Sequence, residues 1–308
     1  MTPCYNEEGN VANLAKVVAG IFAGLPQYTY EHVFIDNYST DNTVKILREL
    51  AAADPNVKVI LNARNFGHIR SPFYGMLTVK GDAVVSIVSD FQDPPEMITQ
   101  FLQKWEEGYK IVIGVKKRSR ENPLMFAIRK VFYNLLAKMS DNGESPVKNF
   151  TGFGLYDQKF MSVLRTLDDP YPYFRGMITE LGFERCEIEY TQPQRAAGKT
   201  KNNFFTLYDM AMLGFTNHSK LPLRLAAFFG FFSAIVSLMV AIAYFIYKLI
   251  YWDWFQVGQA PLVIGVFFFA SVQLFFIGII GEYIGAIHTQ VRKRPLVIER
   301  ERINFDKE

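Results

Sequence analysis

Three short segments of this chain concentrate side chains able to hold a polar ligand. Residues 2–8 read TPCYNEE, residues 34–43 read FIDNYSTDNT, and residues 86–96 read SIVSDFQDPPE. Each also has a plainer reading, because Ser, Asp or Asn just before a helical run caps the helix N-terminus. What separates the two readings is where the segments fall in the fold.

The intervening sequence answers that. Apolar runs alternate with helical patterns: HVFID, a helix over 42–53, VKVIL, a helix over 71–79, then AVVSIVSD. Strands alternating with helices predict an α/β domain with a mostly parallel sheet and helices on both faces. Ligands of such sheets bind beyond the carboxyl ends of the strands, which is where the polar segments begin.

Composition narrows the class. The 308 residues are 50% hydrophobic and 20% charged, with 28 Phe and 16 Tyr, which excludes a disordered chain. A balance of 33 Lys+Arg against 30 Asp+Glu argues against a nucleic-acid binder acting through bulk charge. Cys4 and Cys186 are far apart and form neither a disulfide framework nor a zinc motif. The mean hydropathy of +0.06 is high for a soluble enzyme. Its source is two uncharged runs, residues 225–247 and 254–281. At about 1.5 Å rise per residue, each is long enough to cross a bilayer as a helix. Tyr247, Tyr251, Trp252 and Trp254 between them read as an interfacial turn. Lys220 and Arg224 before the pair, and Arg292, Lys293 and Arg294 after it, place both termini on the cytoplasmic side. The first 20 residues are polar and mixed, unlike a secretory signal. The expected organisation is a cytosolic α/β domain over 1–202, an interfacial amphipathic helix over 203–219, a two-helix membrane hairpin over 220–290 and a cytosolic basic tail over 291–308.

Taken together, the strand-end motifs resemble family 2 glycosyltransferases of the GT-A fold, and within them the polyprenyl-phosphate glycosyltransferases. The DPPE extension, the RNFGH segment and the two C-terminal spans carry the likeness over nearly the whole chain. The resemblance implies roles residue by residue. Pro3, Tyr5, Asn6 and Glu7 match a P-x-Y-N-E that lies against the nucleotide base and ribose, and Asp36 matches an acid that binds the base. Arg64, Asn65 and Gly67 match the loop beside the nucleotide. Asp90 and Gln92 match the end of a D-x-D-x-Q that holds Mg²⁺ or Mn²⁺ on the donor diphosphate, a role suited to oxygen ligands that keep waters and share the ion with phosphates.

Departures from the pattern qualify this. Val88 replaces the first Asp of D-x-D, leaving Asp90 as the carboxylate of that motif. Asn37 and Tyr38 replace the second and third residues of the usual D-D-G-S. The chain starts within the first motif, so the strand that relatives place before it is expected to be missing. Where relatives carry an acid used as a base in a G-D-F-R-L stretch, this chain has Gly152 and Phe153. Asp157, four residues on, is the substitute catalytic residue, with capping of the helix near Gln158 as its other reading. His68 and Arg175 could each touch the sugar or a phosphate, or serve structure alone.

For the acceptor side, basic residues between 116 and 130, including Arg129 and Lys130, interleave with apolar ones. Arg195 and Lys199 lie in a stretch similar to the family's R-x-x-G-x-S-K. These four are expected to meet the acceptor phosphate and anionic headgroups. The reading is inverting transfer of a hexose from a nucleotide diphosphate sugar, UDP-glucose by resemblance, to polyprenyl phosphate at the cytoplasmic membrane face. Other donors (GDP-mannose, UDP-N-acetylhexosamine, UDP-aminoarabinose) and a catalytically weakened lipid-binding scaffold are the rivals. Gly230 and the series Gly278, Gly281, Gly285 allow packing either within one hairpin or between copies.

Overall fold

The structure is a computed structural model that describes residues 1–117, 147, 149–193, 212, 221–250 and 259–305. Strand β1 (Thr2–Cys4) is followed by α1 (Val11–Ala23), β2 (His32–Asp36), α2 (Thr43–Ala53), β3 (Val57–Asn62), α3 (Gly67–Thr78), β4 (Ala83–Ser86), α4 (Met97–Glu106) and β5 (Ile111–Lys116). Then come β6 (Phe150–Asp157), α5 (Gln158–Thr166), α6 (Phe174–Glu180), β7 (Arg185–Tyr190), α7 (Leu221–Ile250), α8 (Gln259–Val291) and β8 (Glu299–Ile303).

The strands form two four-stranded sheets, ordered β1-β2-β3-β8 and β4-β6-β5-β7. The Met1 amino group donates to the Val85 carbonyl at 2.7 Å, and the Ile87 N–H donates to the Met1 carbonyl at 3.1 Å, so one parallel step joins the two sheets. The expected gap at the first strand is thus filled in part by the motif itself, since Thr2–Cys4 pairs in parallel with Phe34–Asp36. The expectation of a mostly parallel sheet needs correction. β1, β2 and β3 run parallel and β5 pairs β7 in parallel, but β6 is antiparallel to both β4 and β5 and β8 is antiparallel to β3. The sheet is mixed.

Alternation along the strands builds a core on each face. Phe34, Val59, Leu61 and Val112 pack against α1, α2 and α4, through Leu14, Leu47 and Phe101. Val33, Ile35, Ile60, Ile111 and Ile113 point the other way, toward Phe73 and Met76 of α3 and Phe160 and Leu164 of α5. All five residues of β2 are buried, as a strand covered on both faces requires.

The C-terminal segment departs from the expected basic tail. Residues 299–303 form an edge strand on β3, with Val59 opposite Ile303 and Ile60 opposite Arg302. Arg48 forms an ion pair with Glu301, and the Tyr74 hydroxyl donates to Glu299 at 2.7 Å. Asn304, at φ 62°, donates from its amide to the carbonyls of Ala51 (2.6 Å) and Val57 (2.8 Å). Its charged, alternating side chains suit an edge exposed to water. Asn304→Ala removes the donor that joins those two carbonyls and is expected to cost about 1–2 kcal/mol, read as a lowered Tm together with faster amide exchange over 299–303; unchanged exchange there would rule out the clasp.

Helices α7 and α8 are 30 and 33 residues long and, by length and composition, each can cross a bilayer. Phe228 and Phe267 on them are 71% and 70% exposed. Among the described residues, a Cβ added at Gly230, Gly278, Gly281 or Gly285 would meet nothing within 4 Å, so no close approach there requires a glycine. α8 runs ten residues beyond the apolar run ending at Gly281, as far as Val291. There it docks on the α/β domain: Tyr283 is buried, and the Gln290 side chain donates to Asp169 at 2.9 Å.

Candidate active site

The polar segments do lie at the carboxyl ends of β1, β2 and β4, and each turns through a non-glycine residue in the left-handed region. Asn6 has φ 54°, Tyr38 φ 70° and Phe91 φ 60°. Such backbone costs of order 1–3 kcal/mol per residue and persists only where surrounding contacts impose it. Those contacts are visible. The Asn6 N–H donates to the Ser39 hydroxyl (2.8 Å), and its side-chain oxygen accepts from the Thr40 N–H (2.8 Å). The Glu7 N–H donates to the Thr43 hydroxyl at 2.8 Å, and Glu8 accepts from the Asn42 N–H at 2.9 Å. The first and second motifs are therefore one interlocked rim, and the capping residues of α2 serve that rim.

Asp36 is fully buried beneath this rim. One carboxylate oxygen accepts from the N–H groups of Tyr38 (3.1 Å) and Ser39 (3.0 Å), the other from the Ser39 hydroxyl. Burial pushes its carboxyl up, against the lowering effect of those donors. Asp36 therefore shapes the loop instead of standing open to a base; the exposed side chain there is Tyr38, 44% accessible.

Asn37 ties the rim to the third expected element. Its amide donates to the Asn65 side chain (3.0 Å) and the Gly67 carbonyl (3.1 Å), while its oxygen accepts from Asn62 (3.1 Å) and the Phe66 N–H (2.8 Å). Asn62, fully buried, continues to the Ser71 hydroxyl at 2.9 Å. Arg64 and Asn65 are held exposed on this support, with the Arg64 guanidinium 4.1 Å from the Phe66 ring centroid. Gly67, at φ 87°, starts α3. Pro3 and Tyr5 are half-buried at the same sheet edge.

Asp90 follows β4 and is 6% exposed; one of its oxygens accepts from the Gln92 N–H at 3.1 Å across the Phe91 turn. Among the described residues no three His, Cys, Asp or Glu side chains converge as a metal cage. One carboxylate on a preformed turn, with the Gln92 amide beside it, still suits a Mg²⁺ or Mn²⁺ ion that takes its remaining ligands from water and substrate phosphates. Asp93, passed over in the sequence except as part of DPPE, is 3% exposed and accepts from the Tyr190 hydroxyl at 2.9 Å. Burial pushes its carboxyl up to about 6, with nearby Asp90 adding to the rise and Tyr190, Lys116 and the Val88 N–H opposing it.

Asp157 belongs elsewhere. It pairs across the sheet with Ala83, the first residue of β4, at the end opposite Asp90. It caps α5 through the Lys159 N–H (2.8 Å) and accepts from the Trp105 indole (2.7 Å) and Lys110 (3.2 Å). Burial would raise its pKa, but the Trp105, Lys159 and Lys110 donors outweigh it and hold the carboxyl below its usual range. The expectation of a catalytic Asp157 is therefore corrected: the residue is structural. Asp157→Ala is expected to leave turnover within about twofold while costing about 2 kcal/mol, from a lost cap and a half-buried indole N–H that loses its acceptor. Because the folded pKa is depressed, the wild-type advantage is complete above the ordinary carboxylate value of about 4 and fades as the pH falls through the lower folded value. Melting curves of both proteins from neutral to acid pH test this; a large loss of turnover in a folded variant would contradict it.

The acceptor-side residues Arg129, Lys130, Arg195 and Lys199, and the expected interfacial helix apart from Met212, lie outside the described residues.

Interlocked polar loops at the strand ends of a mixed α/β sheet, one of them carrying the Asp90 carboxylate on the Phe91 turn, agree with a nucleotide-sugar-dependent glycosyltransferase. The glycosyl transferase family 2 profile matches residues 1–163, and the chain belongs to that family. Glycosyltransferase YkcC of Bacillus subtilis, whose activity is uncharacterised, is 34% identical over 97% of this chain and 91% of its own length. The prophage-derived bactoprenol glucosyl transferase of Shigella flexneri is 32% identical over 97% of this chain and 96% of its own. Among solved structures, glucosyl-3-phosphoglycerate synthase from Mycobacterium tuberculosis overlays 70% of this chain and 74% of its own at 18% identity and a TM-score of 0.49, a likeness too remote to carry an argument.

Proposed function

We propose that the protein transfers a hexose, with inversion, from UDP-glucose to polyprenyl phosphate at the cytoplasmic face of a membrane. In this reading residues 1–202 are the cytosolic transferase domain, 203–219 an interfacial helix, 220–290 a membrane hairpin and 291–308 a cytosolic segment whose strand β8 joins the domain's sheet. The observation that carries it is the pairing of the strand-end site with α7 and α8. Their broad exposed apolar faces call for lipid, and the inner end of α8 is bonded to the domain through Gln290 and Asp169. Likeness to bactoprenol glucosyl transferases over nearly the full chain supports the same acceptor class and the glucose donor.

The residues then divide the work. The interlocked rim of Tyr5, Asn6, Glu7 and Tyr38, with Arg64 and Asn65, holds the nucleotide. Asp90 and Gln92 would hold Mg²⁺ or Mn²⁺, which supplies positive charge to the departing diphosphate. An acceptor phosphate monoester, with a second pKa near ~6, is largely dianionic at neutral pH and is its own nucleophile. Its oxygen bonds to the anomeric carbon as the bond to the donor β-phosphate oxygen breaks, and the nucleoside diphosphate leaves with the electron pair. This chemistry needs no strong base, which fits a structural Asp157. Arg129, Lys130, Arg195 and Lys199 are assigned to the acceptor phosphate.

The test is transfer of radiolabel by the purified full chain, with Mg²⁺ or Mn²⁺ and polyprenyl phosphate, from UDP-glucose, GDP-mannose, UDP-N-acetylhexosamine and UDP-aminoarabinose in parallel. Labelled glucolipid is the expected product. Transfer from another donor alone would replace the sugar assignment, and no lipid-linked sugar from any donor would overturn the enzyme reading.

A further inference from the structure

Of the four charged side chains in β8, three are matched to neighbours. Glu299 accepts from the Tyr74 hydroxyl at 2.7 Å and pairs with Arg302, and Glu301 pairs with Arg48. The fourth, Arg300, is exposed and makes no hydrogen bond or ion pair among the described residues. Its place in the ladder also differs. Glu301 stands opposite Leu61 and Glu299 opposite Asn62, so Arg300 is the extra residue of a β-bulge. A bulge breaks the strict alternation of a strand and re-aims the side chain it carries, and bulges are over-represented beside active sites.

The surroundings place that side chain. The Ala63 N–H donates to the Ile298 carbonyl at 2.9 Å, so the start of β8 runs beside the carboxyl end of β3 and the Arg64–Asn65 loop that follows it. Against the burial that dominates Asp36, the Arg300 charge favours the ionised carboxylate, which sets the guanidinium on the side of the second motif, where Tyr38 is exposed. Asp36 itself is spent on its own loop, so Arg300 and Arg64 are the cations at this rim and Tyr38 is its ring. A guanidinium has five N–H donors and no acceptor. On a nucleotide it can meet either phosphate oxygens or a base edge that presents carbonyls, as uracil does and adenine does not. Distance separates the two. The strands run β8-β3-β2-β1, with β4 next to Met1, and Asp90 follows β4. Strand spacings of about 4.8 Å put β8 roughly 19 Å from β4, so a diphosphate held at Asp90 leaves the nucleoside end toward Arg300.

We propose that Arg300, carried to the site by the C-terminal edge strand, is a specificity-determining residue that donates to a carbonyl oxygen of the donor's base. The assignment rests on the donor reading above. It is tested by calorimetric titration of the full-length protein, in detergent with Mn²⁺, with UDP titrated directly and ADP measured as its competitor. Arg300→Ala is expected to weaken UDP by about tenfold while ADP is unchanged and amide exchange over 299–303 stays as in the wild type. Arg300→Gln, which keeps an amide donor without the charge, is expected to weaken UDP by less and serves if the Ala variant fails to fold. Unchanged UDP affinity would overturn the assignment. So would equal weakening of UDP and ADP, which marks a phosphate contact, or a loss accompanied by faster exchange over 299–303, which marks a structural role. Wild-type protein that binds neither nucleotide would instead overturn the donor reading itself.

Discussion

Asp90→Asn is expected to reduce hexose transfer by about 10³-fold with the fold intact. The size follows from the motif's composition. Val88 stands where a second carboxylate of the motif would share the cation, so within that motif Asp90 is the carboxylate left to hold a Mg²⁺ or Mn²⁺ ion. Loss of a single preorganised group that stabilises transition-state charge typically costs about 10²–10³ in rate, and here the group anchors a divalent charge. The fold is expected to survive because an Asn oxygen can still accept the Gln92 N–H that closes the Phe91 turn. Steady-state kinetics over a Mn²⁺ titration would show a collapsed kcat that high metal restores only in part. A variant with near wild-type kcat and the same metal dependence would remove Asp90 from the mechanism and revive the scaffold reading.

Asn37→Asp is the larger expected effect on the folded protein, although it reproduces the acidic residue usual in the family. The Asn37 amide donates to Asn65 and Gly67 while its oxygen accepts from Asn62 and Phe66, so all four contacts match an amide. A carboxylate keeps the two it accepts and faces two oxygens with no hydrogen to offer. With the position 8% exposed, water cannot readily repair the loss. Two broken hydrogen bonds and the acceptors left unmatched amount to about 3 kcal/mol. Denaturant titration should show that loss, and nucleotide affinity should fall with it because Arg64 and Asn65 stand on this network. A destabilisation under about 0.5 kcal/mol would mean that the loop rearranges at little cost.

The substitution at position 37 was readable in the sequence as a departure; its meaning was not. Asn62, Asn65 and Ser71 are 25 to 34 residues away along the chain, and only the parallel register of β2 on β3 brings them together. Asp36 shows the converse. Its position at a strand end was legible, but its three local donors direct it into its own loop. The tail strand β8 was hidden behind its charges. ERERI alternates as an edge strand does, yet pairing it requires knowing that the β3 edge is open and that α8 ends within reach.

What the sequence by itself determined was the alternation of strands and helices, the strand-end placement of the three polar motifs, the two long apolar helices and the family. These depend on periodicity, run length and motif spacing, all of which are properties of neighbouring residues. The tertiary structure alone decided that the sheet is mixed, that Asp157 sits at the far end from Asp90, that His68, Asp93 and Arg175 line one cavity, and that Arg300 stands at a bulge on the β3 edge. Each of these follows from strand direction and register between distant segments. Reversing β6 against β4 carries a residue from one end of the sheet to the other without altering any local pattern.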